Sequence, residues 1–360
     1  MKILFFCGSA EPGKDGVGDY TRRLCGELIR LNISAQIVSL CDKQSVCFRL
    51  ETQFVDDNSV TVNRIPLSTS NKQRYIFLQN IVNTFDPDLI SLQYVPYSFN
   101  PKGLPFWLPS LLRKLSGQQK WHIMFHELWL GIDAESSLKH KFIGKLQQLI
   151  AKKIIHNIEP NYVNTQNVLY QNFLKSHNIN ALLLPICSNI ALTALKKENI
   201  SFTQFVLFGT IHQGAPFGDF VDDLINNVSN FSKPIKFVFI GNNGPELNNY
   251  TNILKNNNIS YLVLGAQPEK VISQILLDSD YGISTTPYFQ TEKSGVYAAY
   301  KEHNINTICV SRRWTPTKGQ YIVPQIIKYE KNNLNITKLD IDVFDLNTMA
   351  KKFIKLISTS

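Results

Sequence analysis

The chain has 360 residues, of which 44% are hydrophobic and 18% charged, so it is not a disordered chain and has apolar material for two cores. Lysine and arginine exceed aspartate and glutamate by 37 − 28 = 9, which favours an acidic partner or reflects an ordinary excess of surface lysine. Because zinc-ligand spacing, an RNA-binding aromatic signature and runs of basic residues are missing, we expect no nucleic-acid partner.

The first half of the chain alternates short apolar runs with amphipathic stretches. Strands are predicted at Ile3–Cys7, Ala35–Leu40, Thr61–Ile65, Leu89–Gln93, His122–His126, Tyr162–Thr165 and Ala181–Leu184. Helices are predicted at Thr21–Leu31, Gly103–Leu115 and Lys141–Ile155. This alternation indicates βαβ units and a parallel sheet.

The same pattern restarts in the second half of the chain. Strands are predicted at Phe205–Phe208, Lys236–Ile240, Tyr261–Leu264, Tyr281–Ser284 and Thr307–Val310. Helices are predicted at Asp219–Val228, Pro245–Lys255, Pro268–Leu277, Gly295–His303 and Val343–Ile357. We therefore predict an α/β fold class with two Rossmann-like, doubly wound domains that face a central cleft, one over residues 1–188 and one over 189–340.

The cysteines and the lengths of the apolar runs indicate the cellular compartment of the protein. The six cysteines have no C-x-x-C pair, and several lie in strand-like runs, which predicts reduced core residues of a cytoplasmic protein. The apolar run at the N-terminus stops at Gly8, and no stretch is long enough to span a bilayer. Contact with a membrane, if any, is therefore expected to be peripheral, at the anionic inner face.

The loop after the first predicted strand contains Gly16, Val17, Gly18 and Asp19. Glycine allows a ligand to approach the backbone closely, and the start of the following helix favours anions. The spacing is that of neither a dinucleotide fingerprint nor a P-loop. The segment is thus a candidate ligand loop, with a flexible surface loop and helix cap as the alternative.

This loop and four later segments resemble, in the same order, the GT-B glycosyltransferases and especially the retaining family GT4. The later segments are His126–Gly131, Leu184–Ile190, Val206–Thr210 and Val263–Gly265. The resemblance implies an N-terminal acceptor domain, a C-terminal nucleotide-sugar domain, and a terminal helix (341–360) that crosses back to the first. It assigns Gly16 and Val17 to the donor, Gly18 and Asp19 to the catalytic centre, and Gly265 to the base.

His126 ends a predicted strand and is followed by Glu127. A histidine there can hydrogen-bond a sugar or carry a proton near neutral pH, and the resemblance implies contact with the transferred sugar. We predict that both residues are catalytic, with Glu127 or Asp133 contacting the acceptor or taking its proton. The alternative is a structural histidine bonded to the backbone. Trp129 and the Tyr94–Phe99 loop are candidate walls for the acceptor.

The donor domain of GT4 enzymes commonly carries two glutamates in an E-x7-E motif. Here Glu302 matches the second, which the resemblance assigns to the ribose hydroxyls, whereas the first position is Ser294. Glu292 is the remaining candidate for the first glutamate. Lys293, Ser294 and Gly295 open a predicted helix, where an ammonium, a hydroxyl and backbone N–H groups can meet a diphosphate, or simply form a capped helix with a surface lysine.

The arginine or lysine pair that often holds the diphosphate in that family is missing after the first donor-domain strand. Gly209, Thr210 and His212 occupy the loop instead. The phosphates are then expected to meet Lys293, helix N-termini, His212 or the pair Arg312 and Arg313. Because Asp278-Ser279-Asp280 matches a D-x-D motif in its letters only and precedes a strand, we predict no metal and no cofactor beyond a UDP- or GDP-linked sugar donor.

These observations favour a glycosyltransferase of polysaccharide or glycoconjugate assembly, acting with retention on a glycan, a lipid-linked or another acceptor. Three alternatives stay open. The missing family residues allow a non-catalytic, GT-B-like partner subunit of a glycosyltransferase. The architecture also suits a nucleotide-sugar epimerase, which would need two carboxylates at the sugar. The basic surface leaves a nucleic-acid binder as the third.

Overall fold

The computed structural model describes residues 1–193, 201–227, 229, 231–319 and 321–358. The chain divides into two compact units. Unit 1 comprises Met1–Ile186, Pro316–Gly319 and Leu346–Ser360, and unit 2 comprises Cys187–Thr315 and Gln320–Asp345. The C-terminal helix therefore belongs to unit 1, although it follows the whole of unit 2 in the sequence.

The described strands form one sheet in each unit. Those of unit 1 are β1 Lys2–Cys7, β2 Ser34–Asp42, β3 Arg49–Val55, β4 Asn58–Pro66, β5 Leu89–Tyr94, β6 Lys120–Phe125, β7 Tyr162–Thr165 and β8 Leu182–Leu183. Those of unit 2 are β9 Thr203–Phe208, β10 Ile235–Ile240, β11 Ser260–Gly265, β12 Tyr281–Ser284, β13 Asn306–Cys309 and β14 Ile326–Lys328.

The helices of unit 1 are α1 Gly16–Arg30, α2 Asn71–Phe85, α3 Pro96–Phe99, α4 Leu108–Leu115, α5 Leu138–Ile158 and α6 Val168–Lys175. Unit 2 has α7 Phe217–Asn226, α8 Leu247–Asn256, α9 Glu269–Leu277 and α10 Gly295–Glu302, and α11 Leu346–Ser358 completes unit 1. A 3-10 helix at Tyr288–Lys293 leads into α10. The predicted end of α7 at Val228 lies outside the described residues.

The sheet of unit 1 has the order β3-β4-β2-β1-β5-β6-β7-β8 and is parallel except for the β3–β4 hairpin. Helices cover both faces of a parallel sheet, so its central strands are buried on both faces. All six residues of β5 are buried, as are Ile3–Cys7 of β1. On one face α11 packs Phe353 against Phe5, with ring centroids 6.1 Å apart.

The sheet of unit 2 has the order β11-β10-β9-β12-β13-β14, and every described pairing is parallel. Its core on one face is largely aromatic. Phe205 stacks on Phe237 at 5.2 Å, and Phe217 stacks on Tyr250 at 3.9 Å. Because all strands run the same way, the loops after them gather at one edge of the sheet, where ligands bind in such folds.

The predicted fold class is confirmed, since each unit is an α/β structure with a mainly parallel sheet. Several elements that the sequence did not predict bury little, whereas the unpredicted α6 buries Leu169, Tyr170, Phe173 and Leu174. Strand β3 is mostly exposed, α2 buries only Arg74 and Leu78, and β14 has three residues. Helix α1 begins five residues earlier than predicted because the Asp15 side chain accepts the N–H groups of Val17 and Gly18.

Candidate active site

Two central strands of unit 2 are each followed by a glycine at the carboxyl edge of the sheet. Gly209 follows β9 with φ of 73°, and Gly241 follows β10 with φ of 83°, a left-handed backbone that favours glycine. A Cβ atom on Gly241 would lie 3.3 Å from the Gly209 nitrogen, tighter than ordinary contact. The Gly209 N–H donates to the Ile240 carbonyl at 2.9 Å. The loops after β9 and β10 therefore leave the sheet in close backbone contact.

A cavity of about 240 Å³ opens beside these glycines. Its lining residues are Leu207, Phe208, Gly209, Thr210, Ile211, His212, Ile283, Ser284, Thr285, Thr286, Ser294 and Val296. The structure thus brings together four predicted site residues, Gly209, Thr210, His212 and Ser294. The three polar residues at 284–286 were missed, although their position at the carboxyl end of β12 was a signal that could have found them.

His212 is fixed by Thr285. The Thr285 hydroxyl accepts the backbone N–H of His212 at 2.9 Å and lies 3.2 Å from its Nδ1. Partial burial lowers the pKa of His212, and the positive charges of Lys293 and Arg312 lower it further. The imidazole is therefore neutral at pH 7, and two cationic side chains lie within electrostatic reach of it.

Arg312 reaches this region from the loop after β13. Its Cβ lies 3.5 Å from the position that a Cβ on Gly214 would occupy, in the same loop as His212. Arg312 also lines a second cavity of about 430 Å³, together with Arg313 and Trp314. Only Arg312 of the predicted arginine pair acts on the His212 pKa.

Two further groups at the first cavity have hydrogen-bonding capacity. Ser284 is buried, and its hydroxyl has no partner among the described residues. Such a buried hydroxyl calls for a ligand or water. Ser294 is the N-cap of α10, and the structure records no side-chain bond capping that helix. The first N–H groups of α10 are therefore available for a bound anion.

Glu302, Glu292 and Gly265 are not brought to this cavity. Glu302 is buried at the other end of α10, about 10 Å along the helix, and accepts the backbone N–H of Ser188 at 3.2 Å. Glu292 accepts the Tyr321 hydroxyl at 2.7 Å, and burial raises its pKa. Gly265 ends β11, two strands or about 10 Å from β9 in the sheet.

In unit 1, the predicted glycine loop continues into the first turn of α1. A Cβ on Gly18 would collide with the Ser9 carbonyl oxygen, so only glycine fits there, whereas Gly16 is exposed with open space around it. Val17 is half-buried. The Asp19 carboxylate accepts the Gly13 N–H at 3.0 Å and Arg22 Nη1 at 3.1 Å. Burial raises the pKa of Asp19, which the two donors oppose.

His126 ends a chain of buried hydrogen bonds within unit 1. His126 Nε2 lies 2.8 Å from Gln93 Oε1, and Gln93 Nε2 donates to Ser91 Oγ at 2.7 Å. Ser91 Oγ lies 2.7 Å from His122 Nδ1, and His122 Nε2 lies 3.0 Å from Asn164 Oδ1. Because an amide oxygen only accepts, each imidazole is a donor through its Nε2–H.

This environment affects the protonation of both histidines. Burial lowers the pKa of His126 to about 3, and that of His122 likewise to about 3. Proton transfer by His126 near neutral pH is therefore disfavoured, because a charged imidazole at this buried position would lack solvation. Its ring packs edge-on against Tyr20, with centroids 4.8 Å apart. The neutral imidazole can exchange hydrogen bonds but cannot titrate at pH 7.

The residues near His126 differ in accessibility. Glu127 and Asp133 are half-buried, and Asp133 forms a β-bridge with Pro316. Trp129 was predicted as an acceptor wall, but it is buried against His177, with ring centroids 5.0 Å apart. Within 94–99, Tyr97 is the exposed aromatic side chain.

Comparisons with known proteins identify the architecture. No protein-family model and no curated protein matches the sequence. A sucrose-phosphate synthase from Thermosynechococcus elongatus is 11% identical, with a TM-score of 0.56 over 100% of this chain and 90% of its own. A protein described as a UDP-N-acetylglucosamine 2-epimerase from Listeria monocytogenes is 8% identical, with a TM-score of 0.53 over 99% and 88%. The chain therefore has the two-domain GT-B fold.

Proposed function

We propose that this chain is a glycosyltransferase that moves a sugar from a nucleotide-diphosphate sugar to an acceptor. The observation that carries the proposal is the group at the carboxyl edge of the unit 2 sheet. There His212 is subject to the positive charges of Lys293 and Arg312, beside a cavity that the first turn of α10 helps to line. Cationic side chains and an N-terminal helix turn are the two usual protein partners of phosphate.

The proposed phosphate site combines charged side chains with hydrogen-bond donors. Lys293 and Arg312 supply charge, and the N–H groups at the start of α10 supply directed hydrogen bonds. The Thr285 hydroxyl donates to His212 Nδ1, which leaves Nε2–H to donate to a phosphate oxygen. Ser284 Oγ, which lacks a partner among the described residues, completes its bonding with the ligand. Gly209 and Thr210 line the same cavity.

Catalysis in this proposal rests on the leaving group. The donor breaks between the anomeric carbon and the diphosphate oxygen, so charge accumulates on the diphosphate in the transition state. Fixed positive charges and N–H groups at that oxygen lower the barrier. This arrangement replaces the arginine or lysine pair of the GT4 pattern. We also propose that the chain belongs to that family and that the transfer retains the anomeric configuration.

Unit 1 contributes a second set of proposed contacts. Because His126 Nε2–H donates to Gln93, its Nδ1 is left to accept a hydroxyl of the transferred sugar. Glu127 or Asp133 takes the acceptor proton, since both are carboxylates that are not fully buried. Gly16 and Val17 lie in the first turn of α1 and are also placed beside the donor. Because the Asp15 side chain accepts the Val17 N–H, the donor would approach the exposed backbone of Gly16.

The proposed substrates are a UDP- or GDP-linked sugar and a glycan or lipid-linked acceptor of polysaccharide assembly in the cytoplasm. No metal or other cofactor is part of the proposal. Among the described residues, no group of three or more His, Cys, Asp or Glu side chains is arranged to hold a metal ion. No helix in the described part of the chain is long and apolar enough to cross a bilayer.

The unit 2 cavity favours transfer over epimerisation. An epimerase needs carboxylates at the sugar to move protons, whereas none of the residues that line this cavity is acidic. A transferase needs chiefly to stabilise the leaving diphosphate, and hydroxyls, backbone N–H groups and cations suit that role. We therefore keep the epimerase as an outcome of the test.

Turnover of defined donors tests the proposal. UDP-glucose, UDP-galactose, UDP-N-acetylglucosamine and GDP-mannose are incubated with the chain, with and without a pool of glycan acceptors. We expect one donor to release its nucleoside diphosphate only with acceptor. Lys293→Met should abolish release, whereas Lys255→Met, at an exposed position of α8, should preserve it. A changed sugar without release would indicate an epimerase. No turnover together with no nucleotide binding would indicate a non-catalytic subunit.

A further inference from the structure

Helix α5 of unit 1 has an unusual charge pattern. Its 21 residues include no aspartate or glutamate. Its lysines are Lys139, Lys141, Lys145, Lys152 and Lys153. All five are exposed, and none forms an ion pair with any residue that the structure describes. The helix therefore presents a concentrated positive charge that no ion pair with a described residue neutralises.

The same outer face carries large apolar side chains. Leu138 is 84% exposed, Phe142 64% and Leu149 62%. At about 100° per residue, these three side chains fall within about 40° of one another around the helix. The opposite face is buried through Ile150, Ile154 and Ile158 and holds the helix on the unit.

The lysines border this apolar strip. On a helical projection, Lys145 and Lys152 lie on one side of it and Lys153 on the other. Single exposed leucines are common on protein surfaces, but a strip of three between lysines is the pattern of helices that lie in a lipid interface. Lysine stems are long enough to reach headgroup phosphates while leucine and phenylalanine enter the acyl boundary.

We propose that the outer face of α5 binds an anionic lipid surface. Attraction between the lysines and anionic headgroups brings the helix to the surface, and burial of Leu138, Phe142 and Leu149 holds it there. A second copy of this chain is a poor occupant, because it would set five lysines against five others across the interface. The proposal concerns unit 1 and does not depend on the sugar chemistry of unit 2.

Vesicle sedimentation with the full chain tests this proposal. The probes are vesicles of phosphatidylcholine alone and of phosphatidylcholine mixed with phosphatidylglycerol. We expect the wild type to sediment only with the mixed vesicles, and less so at high salt. The double variant Lys145→Gln/Lys152→Gln should lower the partition coefficient by roughly fivefold for each lysine removed. Phe142→Ser/Leu149→Ser should lower it at least roughly tenfold, since less apolar surface enters the lipid.

Matched controls separate the helix face from exposure in general. Phe54 is 76% exposed on β3 of the same unit, and Lys72 is exposed on α2. Phe54→Ser and Lys72→Gln should bind the mixed vesicles as the wild type does. Wild type that ignores both vesicles would overturn the proposal, as would equal losses in the controls. Light scattering that shows a dimer dissociated by Phe142→Ser would instead make this face an interface between copies.

Discussion

His126 of unit 1 and His212 of unit 2 are the same residue type at the same kind of position, just past the carboxyl end of a parallel strand. Their surroundings are opposite. His126 is buried and hydrogen-bonded to Gln93, whereas His212 is exposed and lies within reach of Lys293 and Arg312. Both have a lowered pKa, the first through burial and the second through burial and neighbouring positive charge.

The cause of each shift determines what the histidine can do. At His126 burial is the main cause, so the imidazole is neutral at pH 7 and offers hydrogen bonds rather than a charge. At His212 the neighbouring cations contribute, and an anion bound between them would cancel their effect. His212 can therefore gain a proton when a diphosphate binds, whereas His126 cannot.

The largest effect is expected when the two positive charges near His212 are removed. Replacing both Lys293 and Arg312 by methionine should weaken binding of UDP or GDP at least roughly hundredfold, because each charge-assisted hydrogen bond contributes about 1.5–3 kcal/mol. Calorimetric titration measures the change. The double variant Lys255→Met/Arg313→Met removes the same charge from elsewhere in unit 2 and should leave binding within a few-fold. Equal weakening by both pairs would mean that only net charge matters.

The buried pair His122 and His126 should make the stability of unit 1 depend on pH. Their folded pKa values lie below the unfolded value of about 6.5, so stability is complete above that value and is lost as pH falls. Between pH 7.5 and pH 5.5 we expect a loss of roughly 2–3 kcal/mol in the free energy of unfolding for the pair.

Denaturant titration followed by tryptophan fluorescence measures this loss. Three of the four tryptophans lie in unit 1, and Trp314→Phe removes the one in unit 2. In that background, His122→Asn should reduce the pH-dependent loss by about half, since one titrating group is removed. A free energy of unfolding that is the same at both pH values would contradict the buried neutral pair.

A smaller effect is expected on the pH dependence of nucleotide binding. Because an anion raises the depressed pKa of His212, affinity should increase as pH falls through the bound-state value, by roughly threefold to tenfold between pH 8 and pH 6. Calorimetry in buffers of different ionisation enthalpy should detect proton uptake near pH 6.5. His212→Gln retains the titration of the nucleotide itself and should lose the protein's share of the uptake. The same uptake in both proteins would exclude His212.

The smallest effect is expected at Glu302. Its carboxylate accepts the Ser188 N–H at the far end of α10, so Glu302→Gln should cost about 1 kcal/mol of stability and leave nucleotide affinity within about twofold. Thermal unfolding and calorimetry on the same sample separate the two. A loss of affinity of tenfold or more, with stability retained, would restore the ribose contact that the GT4 resemblance implies.

The fold was more accessible from the sequence than the site. Central strands of a parallel sheet are buried on both faces, so runs such as those of β1 and β10 are continuous apolar segments that a sequence reveals. Edge elements bury little and lack that signal. The mostly exposed β3 was therefore missed, and so was α2, whose buried residues are Arg74 and Leu78.

The site could be predicted only for residues that are close to one another in the sequence. Gly209, Thr210 and His212 follow one strand, and Ser294 begins one helix, so motif position sufficed for them. The neutral state of His126 could not be predicted, because it results from burial of the imidazole, and the Gln93 side chain that its Nε2 contacts lies on a neighbouring strand. Nor could the placement of Glu302, since its spacing fits a motif while its helix carries it away from the cavity.

The central claim is that the diphosphate meets His212 and not His126, and histidine NMR tests it most directly. The chain, labelled with 15N at its seven histidines, is titrated with inorganic pyrophosphate at pH 7, and His212→Gln and His126→Gln assign the two imidazoles. We predict that pyrophosphate shifts the His212 nitrogens toward the protonated form and leaves those of His126 unchanged. Unchanged His212 signals, or movement of His126 instead, would contradict the placement of the phosphate site in unit 2.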